Sequence, residues 1–328
     1  MPSIPKPRLR RSARHRPGVE PQPEPNVEVV ESDGLRWINI ERPAPIDRAW
    51  LEEHFDFHPL DYEDVLSRNQ RPKIDEYPDY LFIVLYFPVF DKAVGRLNAA
   101  ELDVFVGPDF LITLPNTPLP PVEYLFERCR SYEDLREALF SKGAGYLLYK
   151  IVDDSFDYCF PILRKIGNKL ERLEEDIFEG RSEEVVRDIS NAKQEIINFR
   201  KIVRPQRPVL RDLERTKQRY LAEDLEVYFD DIVDASERIW DMLENYKEVV
   251  EALEDTNEAV LSHRLNDVLR VLTAFSVVLL PLTLVASIWG MNVHVPGEQG
   301  VTAFWIIIGA MAVLLVGMVG YFRRRGWL

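Results

Sequence analysis

Carboxylate side chains are concentrated in the stretch that precedes the first long apolar run of the chain. Between residues 224 and 258 they recur every few positions, on the side of a predicted helix opposite its apolar residues. Such a run usually marks a helix face in contact with water. This acidic run leads into a charge-free segment. If several copies of the helix surround an axis and their acids face it, the acids would concentrate cations before a pore. If the acids face bulk solvent, they would only keep the helix soluble.

The charge-free segment that follows holds few polar groups. It contains no Asp, Glu, Lys or His, which disfavours a proton relay or a carboxylate cage for a bare ion. Hydroxyl and amide groups can instead hydrogen-bond the waters of a hydrated ion, and Mg2+ is a hard ion that usually keeps its waters. The groups in or beside the segment that suit this chemistry are Asn266, Thr273, Ser276, Thr283, Ser287 and Asn292.

Two runs near the end of the chain, 271–289 and 301–322, carry no charged residue. Each is long enough to cross about 30 Å of hydrocarbon as a helix. Their tandem position in an otherwise charged chain predicts a helical hairpin in a membrane. Arg264 and Arg270 precede the first run, 323–325 follow the second, and the connection 290–300 has no Lys or Arg. The positive-inside rule therefore places both termini in the cytoplasm and predicts a multi-pass protein of the cell membrane.

Composition and charge exclude several function classes. The chain has 328 residues with 55 acidic and 41 basic side chains, for a net charge of −14. Such an acidic body repels nucleic acid, so no nucleic-acid partner is expected. The two cysteines, Cys129 and Cys159, indicate neither a disulfide framework nor a cysteine zinc site. No HExxH, P-loop, GxGxxG or GxSxG pattern occurs, so an enzyme is the least favoured class.

The remaining residues predict the domain order. Short β-type runs mix with helical ones up to residue 120, and helical patterns follow. The prolines of the basic N-terminus oppose the amphipathic helix of a transit peptide and favour a disordered tail that touches anionic lipid. The predicted segments are a tail at 1–33, an α/β domain at 34–120, antiparallel helices at 121–207, a stalk helix at 208–270, a first transmembrane helix at 271–289, an extracellular loop at 290–300, a second transmembrane helix at 301–322 and a basic cytoplasmic end at 323–328.

Several motifs resemble one family. Gly290-Met291-Asn292 follows the first charge-free run directly, a second run comes about ten residues later, and the chain ends in YFRRRGWL. The segments HPLDYEDVL, QRPKIDEYPDYLFIVL and PLTLVASIWGMN are also similar to those of the CorA family of magnesium transport proteins. The resemblance covers about residues 35–328. It implies a membrane protein with an N-terminal cytoplasmic α/β domain, long all-α stalk helices and a C-terminal hairpin of two transmembrane helices.

The resemblance also implies a homopentameric channel whose first transmembrane helix lines the pore. An outer ring at the GMN motif would grip hydrated Mg2+, backed by a threonine hydroxyl. Two leucines would form a hydrophobic constriction, and an asparagine ring would lie near the cytoplasmic mouth. The matching positions, from the outside inward, are Asn292, Met291, Gly290, Thr283, Leu280, Leu272 and Asn266. None of these roles follows from spacing alone.

The family senses cytosolic Mg2+ at carboxylates between subunits. Asp64 and Asp255 match a first such site, and Glu63 and Asp231 match a second. A bound ion would bridge facing carboxylates and hold the closed arrangement, and without it like charges would repel. Mg2+ is thus both the transported and the regulatory ion, and no organic cofactor is implied.

Three functions stay open at this point. The first is a Mg2+ channel that also passes Co2+ or Ni2+. The second is a relative specialised for Zn2+; Met291 counts against it, whereas His294 in the loop would suit a transition metal. The third is a membrane-tethered coiled-coil scaffold or sensor that conducts nothing.

Overall fold

The computed structural model describes residues 24–67, 70–91, 96–179, 182–215, 225–291 and 301–327. They form two compact units. The first takes the described residues up to Gly167 together with Gln194–Lys247. The second takes Asn168–Lys193 and the described residues from Glu248 onward.

A six-stranded sheet lies in the first unit. Its strands run in the order β1-β2-β6-β5-β4-β3, and every neighbouring pair is antiparallel except β2 and β6. Asp33 and Gly34 have positive φ angles of 53° and 78° in the tight turn between β1 and β2, a conformation that favours these residue types. The strands are β1 (Glu28–Ser32), β2 (Leu35–Asn39), β3 (Lys73–Glu76), β4 (Leu81–Asp91), β5 (Arg96–Val106) and β6 (Phe110–Pro115).

Helices cover both faces of the sheet, because β4, β5 and β6 carry apolar side chains on both sides. Helices α1 (Pro45–His54) and α2 (Pro59–Leu66) pack on one face, where Phe82 and Phe105 are fully buried. On the other face, the ring of Phe126 in α3 meets that of Trp37 with centroids 5.0 Å apart. Phe156 in α5 likewise contacts Phe87. The remaining helices are α3 (Pro120–Ser131), α4 (Glu133–Phe140), α5 (Ala144–Asp157), α6 (Cys159–Glu179), α7 (Ser182–Arg215), α8 (Glu226–Trp289) and α9 (Val301–Arg324).

Two predicted boundaries are wrong. Strand β1 occupies part of the range 1–33 that was expected to be a disordered tail, because Val30 is buried and the strand pairs with β2. Helix α7 does not end at residue 207 but continues through Pro205 and Pro208 to Arg215. A proline costs a helix one backbone hydrogen bond, and tertiary contacts outweigh that cost here. The side-chain amide of Gln206 donates to Tyr86 O at 2.6 Å and accepts from Tyr86 N at 2.9 Å.

The C-terminal part of the second unit is a pair of apolar helices. Ala274 and Val278 of α8 pack against Phe322, and Met318 and Trp327 adjoin them. Both α8 and Phe304–Arg324 of α9 are long and apolar enough to cross a membrane, by length and composition. Most of their large apolar side chains are exposed within the single chain. The predicted order of an α/β region, long helices and two apolar C-terminal helices is confirmed.

Candidate functional site

Three aspartates from α2 and β3 converge on one point. The carboxylate oxygens of Asp61, Asp64 and Asp75 lie within 4.8 Å of one another. Asp61 is buried and the other two are half-buried. The ammonium group of Lys73 lies 2.7 Å from Oδ2 of Asp64 and also contacts Oδ2 of Asp75. We call these four residues the α2 cluster, which carries its own cation.

Local structure explains this convergence. Asp61 and Asp64 are three residues apart in α2, so they lie on one face of the helix. Lys73 and Asp75 are two residues apart in β3, so they lie on one face of the sheet. Helix α2 packs on that face, where its Val65 belongs to the core. The periodicities of a helix and a strand therefore bring two pairs of charged residues together across a short connection.

Asp61 is the deepest member of the α2 cluster. It accepts hydrogen bonds from Tyr80 Oη at 2.7 Å and from Tyr77 Oη at 3.1 Å. Burial raises the pKa of Asp61 above its ordinary value, although the two tyrosine hydrogen bonds and the charge of Lys73 act in the opposite direction. Burial and the charge of Asp61 in turn raise the pKa of Tyr77 to about 12. These groups form a buried network that holds the cluster in place.

Asp64 is half-buried, with 18% of its side chain exposed, against 36% for Asp75 and 30% for Lys73. Gln70 Nε2 donates to its Oδ1 at 2.9 Å, and Lys73 Nζ donates to its Oδ2 at 2.7 Å. Burial alone would lower the pKa of Lys73, but the hydrogen bonds to Asp64 and Asp75 outweigh burial and raise it. Glu63, the other predicted ligand on α2, is exposed. The sequence reasoning found Asp64 but missed Lys73 and its partners, although alternation along QRPKIDEY was a usable signal.

Two more acids lie on β5 on the same face of the sheet. Glu101 accepts a hydrogen bond from Tyr86 Oη at 2.7 Å. Asp103 is buried, and its Oδ1 has no hydrogen-bond partner among the described residues. Burial raises the pKa of Asp103 well above its ordinary value, the charges of Glu101 and Asp64 raise it further, and Lys73 opposes them. The charge of Asp64 therefore affects the pKa of a carboxyl group inside the sheet.

Asp231 lies near a second acidic group of the first unit. Asp153, Asp154 and Asp157 of α5 also hold carboxylate oxygens within 4.8 Å of one another. Lys150 Nζ lies 3.1 Å from Asp153 and 2.8 Å from Asp154. We call these four residues the α5 cluster. Asp231 of α8 is exposed, and its charge contributes, after burial and nearer acids, to the raised pKa of Asp157. The α5 acids were not predicted.

Asp255, which the sequence predicts to pair with Asp64, is an exposed residue of α8 in the second unit. Beside it, Lys193 Nζ of α7 contacts Glu254 at 2.5 Å. That hydrogen bond is the largest cause of the raised pKa of Lys193, and the charges of Glu251 and Asp255 add to it. Asp255 therefore lies in a strongly acidic part of α8.

Three of the predicted pore residues of α8 share a side of the helix. At about 100° per residue, Leu272, Thr283 and Gly290 lie within about 20° of one another. Leu280 lies about 80° and Asn266 about 120° from Leu272 on the same scale. All five are exposed within the single chain. We call this side of α8 the open face.

The opposite side of α8 packs against α9. Ala274 and Val278 lie about 200–240° around the helix from Leu272, and both are buried against Phe322. Thr283 Oγ1 donates to the carbonyl oxygen of Leu279 at 2.9 Å, which leaves its lone pairs free to accept on the open face. Gly290 N donates to Ala286 O at 2.9 Å and ends the helix, and Met291 beside it is exposed. Asn292 lies outside the described residues.

The family model for the CorA-like Mg2+ transporter protein matches residues 32–324. The chain belongs to this family. The cobalt/magnesium transport protein CorA of Thermotoga maritima is 31% identical over 302 residues, which is 91% of this chain and 85% of that one. The CorA resemblance seen in the sequence is therefore confirmed.

Solved structures support the same fold. The complete CorA magnesium transporter from Methanocaldococcus jannaschii superimposes with a TM-score of 0.80 at 22% identity, over 92% of this chain and 94% of that one. The ZntB cytoplasmic domain from Vibrio parahaemolyticus gives a TM-score of 0.58 at 18% identity, over 70% and 88% of the two chains. At these identities both likenesses show the fold alone. CorA proteins are membrane proteins with two C-terminal spans, so the predicted fold class is confirmed.

Proposed function

We propose that the chain is one subunit of a homopentameric CorA-type channel that admits Mg2+, and also Co2+ or Ni2+, through the cell membrane. Both termini lie in the cytoplasm. The observation that carries this proposal is the division of α8 into two sides. One side packs on α9 through Ala274 and Val278, while the open face with Leu272 and Thr283 is left uncovered. An exposed face of this kind in a membrane helix fits a pore shared between subunits.

The chemistry of the open face suits a hydrated ion. It carries hydroxyl and leucine side chains, and no carboxylate occurs within 271–289. A hydroxyl such as that of Thr283 can accept a hydrogen bond from a coordinated water. Mg2+ sheds its waters reluctantly, so a site that binds the waters costs less than one that strips them. Gly290, Met291 and Asn292 would form the outer ring, and Leu280 and Leu272 a constriction that closes by dewetting.

One hairpin per chain cannot enclose an aqueous path, so transport requires several copies around an axis. The number five comes from the family resemblance. The exposed apolar side chains of α8 and α9 would then meet either neighbouring subunits or lipid tails. The protein would act as a transporter rather than an enzyme, with metal ions as its only cofactor.

We further propose that cytosolic Mg2+ closes the channel by binding carboxylates between subunits. Asp64 with Asp255 would form one site, and Glu63 with Asp231 another. Asp64 is suited to this role because its carboxylate is partly exposed and is held in place by hydrogen bonds from Lys73 and Gln70. Glu63, Asp231 and Asp255 are exposed in the single chain and therefore available to a neighbour.

Flux into liposomes tests the channel. Purified protein is reconstituted with an internal Mg2+ dye, and entry is compared between the wild type and Asn292→Ala. We expect the variant to lose at least about tenfold in rate, equivalent to about 1.4 kcal/mol in activation free energy. Repeating the assay with Co2+, Ni2+ and Zn2+ ranks the ions, and faster Zn2+ than Mg2+ entry would select the zinc-specialised relative. Absence of any flux from folded, oligomeric protein would select the non-conducting scaffold.

Thermal protection tests the sensing. Mg2+ that binds only the folded protein stabilises it, by about 2.7 kcal/mol at a hundredfold excess over Kd. We expect millimolar Mg2+ to raise the Tm of the detergent-purified wild type and to increase its resistance to proteolysis. Asp64→Asn and Asp255→Ala should each lose much of both effects. Asp109→Asn, an exposed acid of the first unit, is the control. Equal protection of all four proteins would exclude these carboxylates as the sensor.

A further inference from the structure

Lys73 occupies the position next to Asp64 that a bound cation would take. Its ammonium group is 2.7 Å from Asp64 Oδ2, an ordinary distance for a charge-assisted hydrogen bond. The other oxygen, Oδ1, is already held by Gln70 Nε2 at 2.9 Å. A divalent ion that takes Oδ2 of Asp64 must therefore displace the ammonium group or share the oxygen with it.

The fold holds this lysine in place. Lys73 lies opposite Val84 in the antiparallel pairing of β3 with β4, and its ammonium group sits 5.1 Å from the ring centroid of Phe82. Only 30% of its side chain is exposed. Since the lysine is already ordered by these contacts, its pairing with Asp64 costs less side-chain entropy than a surface pair would.

Lys73 also has a second anion within reach. Its ammonium group contacts Asp75 as well as Asp64. If an ion takes Asp64, the lysine keeps Asp75, so the exchange leaves no unpaired charge in this half-buried place. The α2 cluster therefore has two arrangements that both satisfy its charges.

We propose that Lys73 competes with the sensed ion for Asp64. The carboxylate of Asp64 binds either the ammonium group of Lys73 or cytosolic Mg2+. Lys73 therefore sets the Mg2+ concentration at which the channel closes. This inference rests on the proposed sensing role of Asp64. The lysine weakens the site, which keeps the channel open until internal Mg2+ is high enough to displace it. A site without the lysine would close the channel at lower internal Mg2+.

Lys73→Met tests the competition, because methionine keeps an unbranched apolar side chain beside Phe82 and removes the charge. The full-length protein in detergent is titrated with Mg2+, and Tm is followed to find the midpoint of protection. We expect the midpoint to fall about three- to tenfold, between the small effect of losing an exposed ion pair and the larger effect of losing a buried charged hydrogen bond. In liposomes, closure by internal Mg2+ should move to lower concentration by a similar factor.

Matched variants separate competition from a structural role. Lys142→Met removes an exposed cation of the first unit, whose ammonium group lies 4.1 Å from the ring centroid of Tyr146, and should leave the midpoint in place. Lys73→Arg keeps the charge and should keep the midpoint near that of the wild type. If Lys73→Met lowers Tm by the same amount at every Mg2+ concentration, the lysine is only structural and the inference is wrong.

Failure of the sensing proposal has a different outcome. If Asp64→Asn keeps full Mg2+ protection, Asp64 is not the sensor, and the competition inference fails with it. If Asp64→Asn loses protection while Lys73→Met leaves the midpoint unchanged, Asp64 is the sensor and only the competitor role is excluded. A midpoint that rises in Lys73→Met would contradict the inference directly.

Discussion

The sheet of the first unit and the α8–α9 pair of the second unit place their apolar side chains in opposite environments. In the sheet, Phe82 and Phe105 are fully buried. In the pair, Leu272 and Leu280 are 60% and 68% exposed. The first unit therefore supplies its own apolar interior, whereas α8 and α9 need an apolar environment from outside the chain. Lipid tails meet that need, and neighbouring subunits of the proposed oligomer would meet it as well.

The two regions also differ in the kind of polar group that they contain. Around the sheet they are ionic and bind one another, as Lys73 and Asp64 do. In α8 the hydroxyl groups of Thr273, Ser276 and Thr283 each donate to the carbonyl oxygen four residues earlier. Such hydroxyls are satisfied inside a membrane and still accept from water. The region proposed to sense ions is thus built of charged groups, and the region proposed to pass them is built of neutral groups.

The largest effect predicted from this comparison is on stability. Phe105→Ala should destabilise the protein by about 3–5 kcal/mol, because a fully buried ring leaves a cavity. Phe304→Ala removes the same side chain from α9, where it is 57% exposed, and should cost less than about 1 kcal/mol. Circular dichroism of the detergent-purified proteins during thermal unfolding measures both. Equal losses would mean that α9 is packed as tightly as the sheet.

The next prediction concerns function at an exposed apolar residue. Leu272→Ala should leave Tm almost unchanged, because the side chain lies on the open face. If the leucine ring closes the pore by dewetting, a smaller side chain should let Mg2+ leak at internal concentrations that close the wild type. Liposomes loaded with high internal Mg2+ and assayed for entry of external tracer ion measure the leak. Unchanged closure would remove Leu272 from the constriction.

Periodicity explains which parts could be predicted from the sequence. Leu272, Thr283 and Gly290 share a side of α8, and this could be predicted because the position of a residue around a helix follows from its place in the sequence. The pairing of Lys73 with Asp64 could not be predicted in the same way, since it depends on α2 packing over an edge strand of the sheet. Helix α7 passes Pro205 because Gln206 binds the backbone of Tyr86, more than a hundred positions earlier in the chain. Local sequence patterns do not predict contacts between residues that are so far apart in the chain.

The smallest predicted effect concerns Asp103, an acid in the mostly apolar sheet. Its folded-state pKa lies above the ordinary 3.8, so the folded protein binds this proton more tightly than the unfolded chain. The resulting stability is complete below the unfolded pKa and is lost as pH rises through the folded pKa. Asp103→Asn is neutral throughout, so its Tm relative to that of the wild type should rise as the pH increases from 4 to 8. Thermal unfolding across that range, with Asp109→Asn as the exposed control, measures the trend. A difference that stays constant with pH would show that Asp103 is ionised in the folded protein at every pH tested, and that the sheet tolerates the charge.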